Sequence, residues 1–108
     1  SNQVIAALDM GYTLLEDCGF TRNEAVRATG QLVMRNIENV LEAGCDGALT
    51  GPIERNDIET VKKHIACMQN DYSDDVRLYK MLGTKLVNIA EKKNPDKDYT
   101  QMMELLRG

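Results

Sequence analysis

"LTGPIERND", residues Leu49 to Asp57, packs a threonine, a glycine, a proline, an arginine and an aspartate into one short connection. Pro52 fixes one backbone angle and biases Gly51 toward an extended state, which stiffens the segment and separates whatever precedes it from whatever follows. The stretch reads either as a hinge between helices or as the wall of a binding site. The chain on either side of it decides the fold.

Upstream, apolar residues recur at steps of three and four from Asn2 to Cys18 (Ile5, Leu8, Tyr12, Leu15), and Gly19 follows as a left-handed terminator, which predicts a first helix. "TRNEAVRATG" opens with Thr21 and places Glu24 three residues later, the spacing of a capping box. The stripe Val26, Gly30, Val33, Ile37, Val40 carries a second helix to about Gly44, and Gly47 permits a turn after it. Gly30 costs about 1 kcal/mol against alanine in mid-helix, so its expected use is to let another backbone come close, within the chain or across an interface.

Downstream, Asn56 or Asp57 caps a third helix with the stripe Ile58, Val61, Ile65, Met68, ending near Asn70. A fourth begins around Ser73 or Asp74 and runs through Val76, Tyr79, Gly83, Leu86 and Ala90 until "KKNPDKD" breaks it at Pro95. Tyr99, Met102, Met103 and Leu106 form one face of a short final helix. No segment alternates with period two for long enough to be a strand. The predicted fold class is all-α, four main helices plus a short C-terminal one.

The chain has 108 residues, enough for one modest core, and residues 1–108 are expected to form a single helical domain. A composition of 43% hydrophobic and 28% charged residues is that of a globular protein, and no apolar run approaches the roughly 20 residues of a spanning helix, so no membrane is expected. The formal charge of −4 repels a phosphate backbone, so no nucleic acid is expected either. Cys18, Cys45 and Cys67 stand far apart beside one histidine, which suits reduced, packing cysteines in a cytoplasmic chain and leaves no metal site. A first residue of Ser1 suggests that something upstream was cut away or left unobserved, so that the chain is expected to be half of a longer protein. Val4, Met10, Leu14, Leu32 and Leu41 lie outside the stripes, so helices one and two carry a spare apolar face that needs a cover, most simply a second copy or a neighbouring domain.

The glycines Gly44, Gly47 and Gly51 follow a helix, lack the lysine and serine of a P-loop, and do not spell G-x-G-x-x-G, so they are no nucleotide fingerprint. The segment from Thr50 to Asp57 has more to offer. Thr50 presents a hydroxyl and Gly51 an unshielded amide, a pair able to hold a carboxylate or amide, while Arg55 supplies either a bidentate clamp for an anion or an ion pair with a nearby helix. Asp57, Thr60, Val61 and His64 fall at helical spacing, which puts His64 one flank away from the apolar stripe, the half-buried kind of position that suits a general acid or base and equally a structural histidine. Asp57 also reads as a helix cap. The methionines read as flexible core filler.

Three stretches, "SNQVIAALDMGYTLLEDCG", "GALTGPIERNDIETVKKHIACM" and "RLYKMLGTKLVNIA", resemble the all-helical C-terminal domain that follows a Rossmann-like dinucleotide-binding domain in a widespread group of oxidoreductases. More remotely, the chain is similar to the C-terminal dimerisation domains of pyrroline-5-carboxylate reductase and the 6-phosphogluconate dehydrogenase superfamily. The likeness runs to about Lys93, and A-L-T-G-P-I-x-R-x-D followed by a histidine is its most specific part. It implies a 6-phosphogluconate dehydrogenase C-terminal-domain-like bundle that closes the cleft of an upstream Rossmann-like domain, shapes the pocket for an anionic small molecule, and forms a homodimer through helices one and two. It implies NAD or NADP in the full-length protein and none held by this chain alone. The matching site residues are Asn2, Thr50, Gly51, Pro52, Arg55 and Asp57 for substrate and His64 for catalysis. A non-catalytic helical dimerisation or interaction module is the alternative.

Overall fold

The computed structural model describes residues 1–68 and 73–108. Five helices follow one another, α1 (Asn2–Asp17), α2 (Arg22–Ala48), α3 (Ile58–Met68), α4 (Ser73–Lys93) and α5 (Thr100–Arg107), with no strand among the described residues, so the fold is all-α. The expected end of the third helix near Asn70 lies outside the described residues. The contacts group the chain into two compact units, Ser1–Leu41 and Glu42–Gly108.

The first unit is built by local rules. Behind α1 the Phe20 amide donates to the Leu15 carbonyl (3.1 Å) and the Gly19 amide to that of Glu16 (3.0 Å), with Gly19 at φ +105°, a left-handed turn that glycine adopts without a Cβ penalty. The capping box forms as read: the Glu24 amide donates to the Thr21 hydroxyl (3.1 Å), and the Glu24 carboxylate accepts from the Thr21 amide (3.0 Å). Arg22 reaches back to Asp9 (3.0 Å) and Glu16 (2.9 Å) on α1 and lies 5.6 Å from the Tyr12 ring centroid. Apolar burial here is slight. α1 has no buried residue, and of α2 only Ala25 is buried.

The expectations for α2 need two corrections. The helix breaks at Gly44, whose φ of 74° and ψ of 174° are not helical, and a further helical turn through Ala48 follows, so Gly47 lies in that turn of helix and not in a loop. Among the described residues nothing comes close to Gly30, where an added Cβ would meet nothing within 4 Å. The close approach belongs to Gly83, where an added Cβ would stand 2.8 Å from a Leu106 methyl and 3.4 Å from the end of Ile53.

The second unit holds the core. Ile53, Val61, Ile65 and Met68 meet Val76, Val87 and Ala90 of α4, Tyr99 just before α5, and Met102 and Leu106 of α5 at exposures below a tenth. The period-3.6 stripes read for helices three, four and five together supply most of these residues, since residues three and four apart share a helix face, whereas the stripes of α1 and α2 supply none. On α4 the buried line runs through Val87, while Tyr79 and Leu86 are only half-buried. The three cysteines are free, as expected, but all are exposed and none packs in the core.

Candidate functional site

The connection between α2 and α3 is held from several sides. Its own amides turn back on themselves, Arg55 to the Gly51 carbonyl (3.0 Å), Asn56 to Ile53 (3.1 Å) and Asp57 to Pro52 (2.8 Å). Gly51 is not extended, as Pro52 led one to expect, but left-handed at φ +98°; lacking a Cβ, glycine escapes much of the restriction that a following proline imposes. Ile53 is the anchor, buried to 6% exposure beside Gly83 and Leu106. Asn56 takes φ +61°, a conformation that asparagine tolerates better than most residues, and its side-chain amide donates to the Asp98 carbonyl (2.8 Å).

A polar clamp from the far end of α4 completes the support. The Tyr99 hydroxyl donates to the Glu54 carbonyl (2.6 Å), and the Asn94 amide group donates both to the Glu54 carboxylate and to the Tyr99 oxygen, each at 3.1 Å. Lys93 donates to the Leu49 carbonyl (2.7 Å) and lies 3.6 Å from the Glu54 carboxylate. The Asn94 hydrogen bond, with the Lys93 charge added, holds the Glu54 carboxyl below its usual range. None of Lys93, Asn94, Tyr99 or Glu54 was visible as a support in the sequence, where "KKNPDKD" signalled only a helix break. The signal that could have found them is the density of hydrogen-bonding groups around Pro95.

On this frame Thr50 and Arg55 are exposed, while Gly51, Pro52 and Asp57 are half-buried. Asp57 caps α3: it accepts from the Thr60 amide (3.1 Å) and, through its other oxygen, from the Thr60 hydroxyl (2.7 Å). Those two bonds, the hydroxyl's first, hold its carboxyl below the ordinary value. Arg55 stands 3.8 Å from the same carboxylate with its side chain 58% exposed. An exposed pair at that distance is worth at most about 1 kcal/mol, so the guanidinium keeps most of its capacity for a better carboxylate or phosphate partner. Of the two roles weighed for Arg55, the ion pair exists and leaves the clamp open.

His64 follows Asp57 by seven residues on one flank of α3, about 10 Å along the helix. It is exposed rather than half-buried. Its Nδ1 lies 2.9 Å from the Tyr79 hydroxyl of α4, and the two rings meet edge to face at 5.9 Å and 83°. Burial raises the Tyr79 pKa above its ordinary value, which keeps the phenol protonated. Sequence reading placed Tyr79 on the apolar stripe and missed its polar tip. Asn2 opens α1 in the first unit, exposed, and the other site residues belong to the second unit.

An open groove of about 610 Å³ lies elsewhere in the second unit, lined by Val87, Tyr99 and Met103 with Glu91, Lys97 and Arg107. None of the residues from Thr50 to His64 lines it, and its mixed charges select no ligand. Among the described residues no group of three or more histidines, cysteines and carboxylates is placed to hold a metal ion, and no helix is long and apolar enough to cross a membrane.

No curated protein and no solved structure matches the chain. One family profile does, over residues 1–86, so that α1, α2, the supported loop, α3 and most of α4 fall within it. By that match the chain belongs to the family described as Domain of unknown function (DUF2520).

Proposed function

We propose that this chain is the substrate-pocket and dimer-forming domain of an NAD(P)-dependent oxidoreductase whose dinucleotide is held by a preceding Rossmann-like domain. The observation that carries the reading is the supported loop. A connection pinned by Ile53, by Asn56 and by the Glu54–Asn94–Tyr99 clamp presents Thr50 and Arg55 to solvent in a fixed arrangement, as a recognition surface for an anionic group requires. In this reading Arg55 grips a carboxylate or phosphate, Thr50 and the Gly51 amide add hydrogen bonds beside it, and Pro52 and Asp57 hold the corner in shape. His64 delivers a proton. The bound NAD(P) would supply hydride chemistry; this chain's residues bind, orient and protonate.

The second reading, a non-catalytic helical dimerisation module, draws on a different observation. Large apolar side chains of α1 and α2 stand exposed, among them Ile5 at 65% and Leu41 at 81%, as in a surface made to be covered. The two readings part at the loop. In the two-domain protein that the first requires, NADPH and NADH are titrated together with a panel of small carboxylates and phosphates, whose binding and turnover are read in the unaltered chain, Arg55→Ala and His64→Ala. The first reading expects Arg55→Ala to weaken retention of the anionic substrate by roughly tenfold or more, the worth of a charged hydrogen bond, and His64→Ala to lower turnover by roughly a hundredfold, the low end of general acid catalysis. Unchanged binding and turnover in both variants would remove these residues from the site and leave the interaction module standing.

A further inference from the structure

We infer that Tyr79 is a positioning residue for His64: its hydroxyl, donating to Nδ1 across the α3–α4 contact, holds the imidazole in the tautomer that carries its proton on Nε2. The distance of 2.9 Å is that of a formed hydrogen bond, and the edge-to-face ring contact limits how far the imidazole can rotate away from it. Either group could donate, and the chemistry of the two ends decides. If Nδ1 carried the proton, the Tyr79 oxygen would accept it and the phenolic hydrogen would need another acceptor; among the described residues His64 is the hydrogen-bonding partner of that hydroxyl. A half-buried phenol left without an acceptor is the costlier arrangement, whereas an exposed imidazole edge finds water at once. With the phenol donating, Nδ1 is occupied as acceptor and Nε2–H is turned outward on an exposed residue. The assignment rests on the reading of His64 as a proton donor and sharpens it: a proton delivered from Nε2 comes from the imidazolium, the Tyr79 oxygen accepts the hydrogen bond from the Nδ1–H left behind, and exchange of that proton with water lets the phenol donate again and restores the resting tautomer.

The chain has one histidine, so the imidazole ¹⁵N resonances are unambiguous. They are recorded above about pH 8.5, where an ordinary imidazole is neutral, on the unaltered chain and on Tyr79→Phe, which keeps the ring contact and removes the hydroxyl. The unaltered chain is expected to show Nε2 protonated and Nδ1 shifted as a hydrogen-bond acceptor. In Tyr79→Phe the tautomer ratio is expected to fall by roughly fivefold, the worth of one neutral hydrogen bond. A protonated Nδ1 in the unaltered chain overturns the assignment, and so does a Tyr79→Phe chain that melts earlier with its tautomer ratio unchanged, since the contact would then be only a staple between helices. Should that variant fail to fold, meta-fluorotyrosine in place of tyrosine, with spectra recorded at about pH 7.5 where the more acidic fluorophenol keeps its proton, makes the phenol a stronger donor without removing it. The Nδ1 resonance must then move further toward the acceptor-shifted position, and a static one overturns the assignment. The measurement needs neither cofactor nor turnover, so a protein without NAD(P)-linked activity would end the oxidoreductase reading and leave the tautomer result as it stands.

Discussion

Asp57 shows how one side chain can be read correctly in kind and still be undecided in role. A carboxylate just before an apolar period reads as a helix cap, and both of its oxygens are taken by Thr60, so the capping half of the reading is observed. Whatever it does for a ligand, it does through its neighbour Arg55. Its carboxyl is held below 3.8 by the Thr60 hydroxyl and amide, Glu24 is held below 4.5 by Thr21, and Glu54 below the same value by Asn94. Each folded-state value is depressed, so each group contributes stability that is present above its unfolded value and lost as pH falls through its folded one. Urea midpoints are therefore expected to stay level from pH 7 to about pH 5 and to fall below that, where unfolded carboxyls begin to take up protons first. Thr60→Val removes the hydroxyl that favours the charged form of Asp57. The variant should be less stable than the unaltered chain at neutral pH, and the gap should narrow as the medium is acidified; a gap independent of pH would mean that the Asp57 charge plays no part in the cap.

At the scale of elements, the helices and their order were legible because their causes are local. A capping box, a left-handed glycine behind α1, the Asp57 cap and the helical stripes each lie within a few residues of their effect, and the structure places the caps, the glycine and the buried stripes of α3 and α5 as read, while α4 buries Val87 beside its stripe and the stripes of α1 and α2 stay largely uncovered. What stayed hidden was long-range. The Glu54–Tyr99 and Asn56–Asp98 bonds join positions 45 and 42 residues apart, and the His64–Tyr79 pair crosses between two helices. No periodicity within either partner encodes such a pairing. The glycines show the same divide. Gly30 and Gly83 look alike as mid-helix glycines on an apolar stripe, yet only Gly83 has another side chain against it, from α5, whose course depends on the turn around Pro95. Gly83→Val is accordingly expected to cost about 1–3 kcal/mol by overpacking against Leu106 and Ile53. Chemical denaturation of the variant measures it, and an unchanged midpoint would mean that α5 can move aside without loss.

For the whole molecule, the distribution of apolar surface matters more than any single contact. Among the described residues the second unit buries ten apolar residues while the first buries Ala25 alone, and Leu32 and Leu41 of α2 stand 63% and 81% exposed. Burying a leucine side chain is worth about 1.5–3 kcal/mol, so a surface of this kind gains from being covered. The fit to a second copy is tested directly by mass. Light scattering at high micromolar concentration is expected to give twice the 12.1 kDa of one chain. In a two-fold interface each substitution acts twice, so Leu32→Glu or Leu41→Glu should weaken association by about a thousandfold, twice the roughly 2 kcal/mol of one lost leucine, and return the monomer mass. Salt separates the causes. Each chain carries −4, so copies repel one another at low ionic strength; screening should strengthen a dimer held by apolar burial, whereas a dimer held by ion pairs would come apart. A monomeric mass throughout would leave the proposed Rossmann-like domain as the remaining candidate to cover α1 and α2, and would strike the homodimer from the proposed function without touching the supported loop.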